Sequence, residues 1–475
     1  MLPDRPAMPR LSCFLVAIAL ALRPEIAFAQ RTSIRGADRV GSTALQRVPV
    51  HEGRPNVLVI LTDDQRPDGV GFEGNGSLRT PNLDRFAAEG ARLRNFYVAT
   101  PQCCPSRAAL LTGRYGHQRA NGVTSNLAND PEHTAPGITF FGLPVSDLAA
   151  GTATIATDMN RAGYSTGFIG KAHLGGDPRL WDFRDVPVWL PKLGAPHEGA
   201  TLMVNGTPQV LPGLTNQIFV DAAGDWMERH RSDRWFLWLA TTAPHDPLRH
   251  DPRFPYATSD IAPPPLWPEG LPLTAGFDWA GYYSTISMLD DDLGRLFSRM
   301  RDLGLDRNTV VFFLSDNGHM AGSHGPEDDV SSKSMWFEES ARVPGVVRWP
   351  GVIPAGSVVD APLVSVDVTA TIRSLAGLPR DPGTEGMDMI PALVGRTPLR
   401  QTAYAEIWDE LHELWRWQLV REGDWKYVAF ESGQELLYDL ASDPDEMVDL
   451  SARPDVGGTL ERMRARLAAW KSVTP

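Results

Sequence analysis

An α/β fold is predicted for this chain: a large, mostly parallel central sheet flanked by helices, followed by a small C-terminal α+β subdomain with an antiparallel sheet. Three observations carry this. Apolar runs of strand length stand at residues 56–61, 235–240 and 309–314, and runs without polar alternation fit strands buried on both faces of a parallel sheet. Helical patterns lie between them, and strands alternating with helices indicate a doubly wound domain. From residue 399 the chain changes to short strand-like segments closed by a helix.

The elements follow in order. Arg5 and Arg10 precede an apolar run from Leu11 to Leu22, and Ala27-Phe28-Ala29 offers small residues at a cleavage point. This layout predicts a signal peptide over 1–29 and an exported protein, in the bacterial periplasm or secreted, with no integral membrane segment after cleavage. The main α/β domain is expected over 50–398. Its first apolar run ends at Asp63-Asp64, the second reaches Pro244-His245, and the third reaches Asp316-Asn317. Ligands of open α/β sheets gather beyond such strand ends. A capped helix is expected at 81–90 and a long amphipathic one at 282–303. The proline-rich stretch 244–272 reads as loops. Within 399–475, strands are expected at 417–421, 426–430 and 435–439, with a helix at 460–470.

Composition narrows the function. The 475 residues can bury a large core, and 42% hydrophobic with 22% charged residues suits a globular enzyme. A formal charge of −13 argues against a nucleic-acid partner. It leaves room for a locally basic pocket that accepts a small anion. Cys13 leaves with the signal, so the mature chain keeps Cys103 and Cys104, with no disulfide framework and too few thiolates for a zinc cluster.

Residues 103–114 read Cys-Cys-Pro-Ser-Arg-Ala-Ala-Leu-Leu-Thr-Gly-Arg. Pro105 pre-sets φ, Ser106 can cap, and Ala108 to Leu111 favour a helix whose N-terminus would face an anion. Asp63, Asp64, Asp316 and Asn317 offer only oxygen ligands from two strand ends, which suits Ca²⁺ or Mg²⁺ better than zinc. Adjacent buried carboxylates repel each other unless a cation lies between them.

The spacing Cys103-x-Pro105-Ser106-Arg107-x4-Thr112-Gly113 resembles the signature of the type I, formylglycine-dependent sulfatases of the alkaline phosphatase superfamily. Gly170-Lys171-Ala172-His173, Pro244-His245-Asp246-Pro247, Ser315-Asp316-Asn317-Gly318 with Lys333, and residues 338–351 resemble further motifs of that family. The likeness spans roughly residues 54 to 450 and implies an alkaline-phosphatase-like fold. It also implies that a maturation enzyme converts Cys103 to formylglycine. One hydroxyl of the hydrated aldehyde then attacks sulfur, and the second re-forms the aldehyde and expels sulfate.

The same resemblance implies Ca²⁺ in preference to Mg²⁺, on Asp63, Asp64, Asp316, Asn317 and an oxygen of residue 103. Arg107 would hold residue 103 and the metal carboxylates. Lys171 and His173, two apart and on one side of an extended segment, would help deprotonate residue 103. Lys171, His245 and Lys333 would bind the substrate, and His245 and Lys333 would assist the leaving oxygen, with His245 a candidate general acid. His117, His250, His319 and His324 carry weaker signals. Trp267, Trp279 and Trp415 are candidate pocket walls.

Residues 103–121 locally resemble glucosamine-6-sulfatases, and arylsulfatase-like members are also similar. The implied substrate is a sulfated small molecule or glycan. The alternatives are a phosphonate or phosphate ester hydrolase of the same superfamily and a catalytically silent sulfated-glycan binder.

Overall fold

The computed structural model describes residues 54–117, 139–140, 143–144, 148, 152–191, 197–263, 276–324, 333–396, 400–408 and 416–473. The signal segment 1–29, Trp267 and Trp415 lie outside them. Among the described residues, one sheet runs in the order Ser357–Val359, Ala91–Leu93, Gly345–Arg348, Thr309–Ser315, Asn56–Thr62, Trp235–Ala240, Ser165–Lys171, Val188–Leu190, Thr201–Val204, Thr207–Val210.

The centre of this sheet is parallel. Asn56–Thr62 pairs with Trp235–Ala240 on one side and Thr309–Ser315 on the other, and Ser165–Lys171 extends the parallel set. Antiparallel strands join towards the margins, beginning with Gly345–Arg348. The apolar runs form strands because both faces are covered. Val57, Val59 and Leu61 join Phe236, Trp238, Phe312 and Leu314 in one core. Leu58 and Ile60 join Leu237, Leu239, Val311 and Phe313 in the other. Helices Cys103–Thr112 and Val366–Leu375 supply Leu110 and Ile372 to the first, and Thr215–Arg229 and Trp279–Asp302 supply Phe219 and Leu293 to the second.

The expected helix at 81–90 runs over Pro81–Ala88. The long helix begins earlier than expected, at Trp279, because the Asp278 carboxylate accepts the Gly281 N–H at 2.9 Å and Trp279 and Ala280 are buried. The C-terminal antiparallel sheet has one strand more than expected, in the order Thr402–Trp408, Arg416–Glu422, Trp425–Phe430, Glu435–Asp439. Helix Gly457–Val473 covers it with Leu460, Met463, Leu467 and Trp470. That core is shared with Tyr97, Ala109 and Tyr115, so the C-terminal sheet packs directly on the segment around Cys103. No helix among the described residues is long and apolar enough to cross a membrane.

Candidate active site

Four neighbouring parallel strands end at one level, where Gly170, Ala240, Leu61 and Leu314 lie in register. Just beyond that level the chain presents Lys171, Asp63 with Asp64, Asp316 with Asn317, and, after a short loop, His245. The strand ends are held closely. Asp316 N–H donates to the Thr62 carbonyl at 3.0 Å, and Asp63 N–H to the Ala243 carbonyl at 3.1 Å. Gly170 has φ 107°, and a Cβ there would lie 1.7 Å from the Ala240 carbonyl oxygen, so only glycine fits.

Cys103 is the first residue of helix Cys103–Thr112, every residue of which is buried. The helix ends on Gly113 in the left-handed region, φ 71°. Ser106 lies inside the first turn and does not cap; the cap position is Gln102, in extended conformation.

The predicted side chains converge on the Cys103 sulfur. Lys333 Nζ lies 3.0 Å from Sγ and 2.8 and 2.9 Å from the two Asp64 oxygens. Sγ stands 3.6 Å from Asp64 Oδ1, and His245 Nε2 stands 3.6 Å from Asp64 Oδ2. Arg107 Nε donates to Asp316 Oδ2 at 2.8 Å and Nη1 to the Lys171 carbonyl at 2.8 Å, while Nη2 pairs with Asp316 Oδ2 at 2.6 Å and approaches Asp63 Oδ1 at 3.5 Å. Lys171 pairs with Asp63. Asn317 Nδ2 donates to Asp64 Oδ1 at 2.6 Å.

Three carboxylates thus face three cations in a buried cluster. Asp63, Asp64, Cys103 and His245 each bring a ligand atom within 4.8 Å of the others. Asp63 Oδ1 and Asn317 Oδ1 are buried oxygens with no hydrogen-bond donor. Such orphaned acceptors fit a hard cation, which would satisfy both.

Electrostatics sort the groups. Burial opposes ionisation of Asp64, but Lys333, His245, His319 and Lys171 outweigh it and hold its carboxyl well below the ordinary range. Asp316 is pushed up to about 6 by burial, with Arg107 opposing and Asp63 adding to the rise. Burial lifts the Cys103 thiol well above its usual value, although Lys333 pulls the other way, so the residue is a neutral thiol and a weak nucleophile. Burial and Lys171 hold His173 well below its ordinary value, and its Nδ1 has no partner. His245 is lowered to about 3, chiefly by burial, and its Nδ1–H donates to the Asp246 carbonyl at 2.9 Å.

Several expectations change. Lys171 ends its strand, but His173 has φ 51°, so the pair does not sit on one extended segment; the chain turns sharply between them. Trp279 is 2% exposed, lies under the Arg66 guanidinium and packs on Phe277 and Tyr282 rather than lining a pocket. His117 bonds Glu406 at 2.8 Å, His250 bonds Asp278 at 2.7 Å, and His324 stacks on Phe337 at 3.6 Å. His319 stands closer to the chemistry than its weak signal suggested: its field bears on Asp64, and burial lowers it to about 3. Its place two residues after Asn317 was the available clue.

Comparison with known proteins agrees with this arrangement. Residues 55–378 match the Sulfatase family, and residues 326–472 match the family described as N-sulphoglucosamine sulphohydrolase, C-terminal. The chain is 31% identical to an N-acetylgalactosamine-6-sulfatase of Sus scrofa, over 84% of this chain and 82% of the relative. It is 27% identical to a choline-sulfatase of Rhizobium meliloti (strain 1021), over 85% of this chain and 83% of the relative. A solved structure in complex with its substrate D-glucosamine-2-N,6-O-disulfate superposes with a TM-score of 0.75 at 22% identity, covering 89% of this chain and 98% of the other.

Proposed function

The chain belongs to the sulfatase family, and we propose that this sulfuric ester hydrolase acts on a sulfated carbohydrate, with residue 103 as formylglycine and Ca²⁺ on Asp63, Asp64, Asp316 and Asn317. The observation that carries this reading is that Lys333 and Asp64 touch the Cys103 sulfur and His245 brings a ligand atom within 4.8 Å of it. Relatives named for N-acetylgalactosamine 6-sulfate and a structural neighbour holding a disulfated glucosamine favour a sugar substrate.

When bound, the cation lowers the pKa of the hydroxyl that residue 103 carries as formylglycine and offsets the charge of the sulfuryl oxygens. With a divalent ion held by these residues, the cluster of three carboxylates with Arg107, Lys171 and Lys333 would be net positive and would favour an anionic ester. Arg107 fixes Asp316 and Asp63, so the metal carboxylates do not follow the substrate. Neutral His173, in the field of Lys171, Arg107, Lys333 and His245, keeps an unpartnered nitrogen that can accept a proton. Lys333 is a permanently charged donor, held above its ordinary value by Asp64 against the effect of burial, and it stabilises the leaving oxygen. His245 has Nδ1–H tied to the Asp246 carbonyl, so its Nε2 donates to a sulfuryl oxygen only when it carries a second proton, which the bound anion favours.

The first 29 residues form an export signal in this reading, which places the enzyme in the periplasm or outside the cell. N-terminal sequencing of the mature protein should begin at Gln30. The decisive experiment joins peptide mass spectrometry at residue 103 to a substrate panel. Protein from a maturation-competent host should carry an aldehyde or its hydrate at 103 and release sulfate from defined sugar sulfates. Full activity with a free thiol, or a preference for aryl phosphonate over every sulfate tested, would overturn the reading.

A further inference from the structure

Ser334, next to Lys333, joins the active site to the C-terminal sheet. Its backbone is left-handed, φ 69°, a conformation a serine adopts only when its surroundings impose it. Its N–H donates to the Pro101 carbonyl at 2.9 Å, two residues before Cys103. Its carbonyl accepts the indole Nε1–H of Trp417 at 3.1 Å. Trp417 is 1% exposed, lies on strand Arg416–Glu422 opposite Ile407 and Phe430, and packs edge-on against Trp336.

The segment is pinned a second time four residues on. Glu338 N–H donates to Glu446 at 2.6 Å, and its carboxylate takes bonds from Tyr97, Arg342 and Lys426 at 2.6, 2.8 and 3.0 Å. Residues 334–338 are therefore held by the C-terminal sheet, the region that follows it and the segment leading to Cys103. Lys333 itself is a long, flexible side chain, and a flexible ammonium is placed only as well as its backbone.

We propose that Trp417 is a positioning residue for the sulfatase reaction. By fixing the Ser334 carbonyl, it sets the backbone from which Lys333 reaches residue 103 and the leaving oxygen. The C-terminal sheet then contributes to turnover as well as to folding. This rests on the role of Lys333 assigned above.

The test compares Trp417→Phe, Lys333→Ala, the double variant and Leu419→Ala, each as full-length mature enzyme. Phenylalanine keeps most of the packing and loses the donor. Leu419 is buried two residues along the same strand, so its truncation loosens the sheet without touching Ser334. Trp417→Phe should lower kcat on an alkyl or sugar sulfate about tenfold, with KM moving less than about twofold and a smaller loss on nitrophenyl sulfate. Added to Lys333→Ala, it should change nothing further. The same fractional loss in both backgrounds, or the same leaving-group pattern in Leu419→Ala at a matched fall in Tm, would overturn the proposal. An unimpaired Lys333→Ala would remove the assignment beneath it, a result separate from a Trp417→Phe that fails alone.

Discussion

Replacing Lys426 by Met should destabilise the protein in a way that depends on pH. Lys426 is fully buried, with Nζ 3.0 Å from Glu338 and 2.7 Å from Glu446. Met keeps the shape of the stem and removes the charge. Stranding a buried charge by deleting its partner costs about 3–5 kcal/mol. The two carboxylates share that cost unequally. Burial opposes ionisation of Glu338, but Lys426, Arg421 and Arg342 hold it well below the ordinary range, and both arginines survive the change. Glu446 is pushed up to about 8 by burial and by Glu338, against the pull of Lys426. It can therefore escape by taking a proton. The cost should lie near 3 kcal/mol at pH 6 and rise towards 5 at pH 9, by the range just given. At about 2 cal/mol/K of unfolding entropy per residue, that is a fall in Tm of roughly 3–6 °C.

The sign for the parent protein follows from the same group. A carboxyl whose folded pKa lies above its unfolded one binds its proton more tightly in the fold. Its stabilising effect is full below the ordinary carboxyl range and is lost as pH climbs through about 8. Glu446→Gln should flatten that part of the profile. Thermal unfolding followed by near-UV circular dichroism at pH 6, 7.5 and 9 measures both effects. A Lys426→Met protein within 1 °C of the parent throughout (about the resolution of such a shift), or one hurt more at pH 6 than at pH 9, would refute the reasoning.

Three further outcomes are expected. Asp316→Ala should lose bound divalent metal and activity together, and undiminished metal by elemental analysis would remove Asp316 from the ligand set. Gly170→Ala should fail to yield folded protein or show a large fall in Tm, since its Cβ would meet the Ala240 carbonyl at 1.7 Å; circular dichroism of the purified variant decides this. Lys333→Ala should lose far more kcat/KM on a sugar sulfate than on nitrophenyl sulfate, whereas His245→Ala should lose similar amounts on both. A leaving-group-selective loss in His245→Ala alone would return the acid role to His245.

What was legible in the sequence follows what each strand must bury. Asn56–Thr62, Trp235–Ala240 and Thr309–Ser315 announce themselves because both faces are covered and no polar residue interrupts them. Ser165–Lys171 sits among them in the sheet yet reads Ser-Thr-Gly-Phe-Ile-Gly-Lys, because Gly167 must admit the Trp226 ring and Gly170 the neighbouring backbone. Thr402–Trp408 escaped because it mixes apolar and polar residues, and its Glu406 is fully buried against Gln418 and His117. The site was legible because its motifs bring oxygen donors and cations at fixed spacing. The link from Trp417 to Ser334 was not: one indole bond to a carbonyl 83 residues away leaves no local pattern.

The depth of Cys103 bears on how the enzyme is made. At 2% exposure, on a helix buried along its length, the side chain offers no surface to a second protein. With residue 103 as the formylglycine proposed above, an oxidising catalyst would have to meet it while the chain is still open. The last pieces to close over it come late in translation: Lys333, then the sheet that starts at Thr402. At roughly 5–20 residues per second, several hundred residues of synthesis leave an interval of about a minute or less after Cys103 emerges. Under that proposal maturation and folding would compete for the same nascent chain, and a molecule that folded first would be locked out of activity for its lifetime. Overproduction in a host with little maturation capacity should yield well-folded, thermally stable and permanently silent protein, and only unfolding and refolding in the presence of the catalyst should recover it.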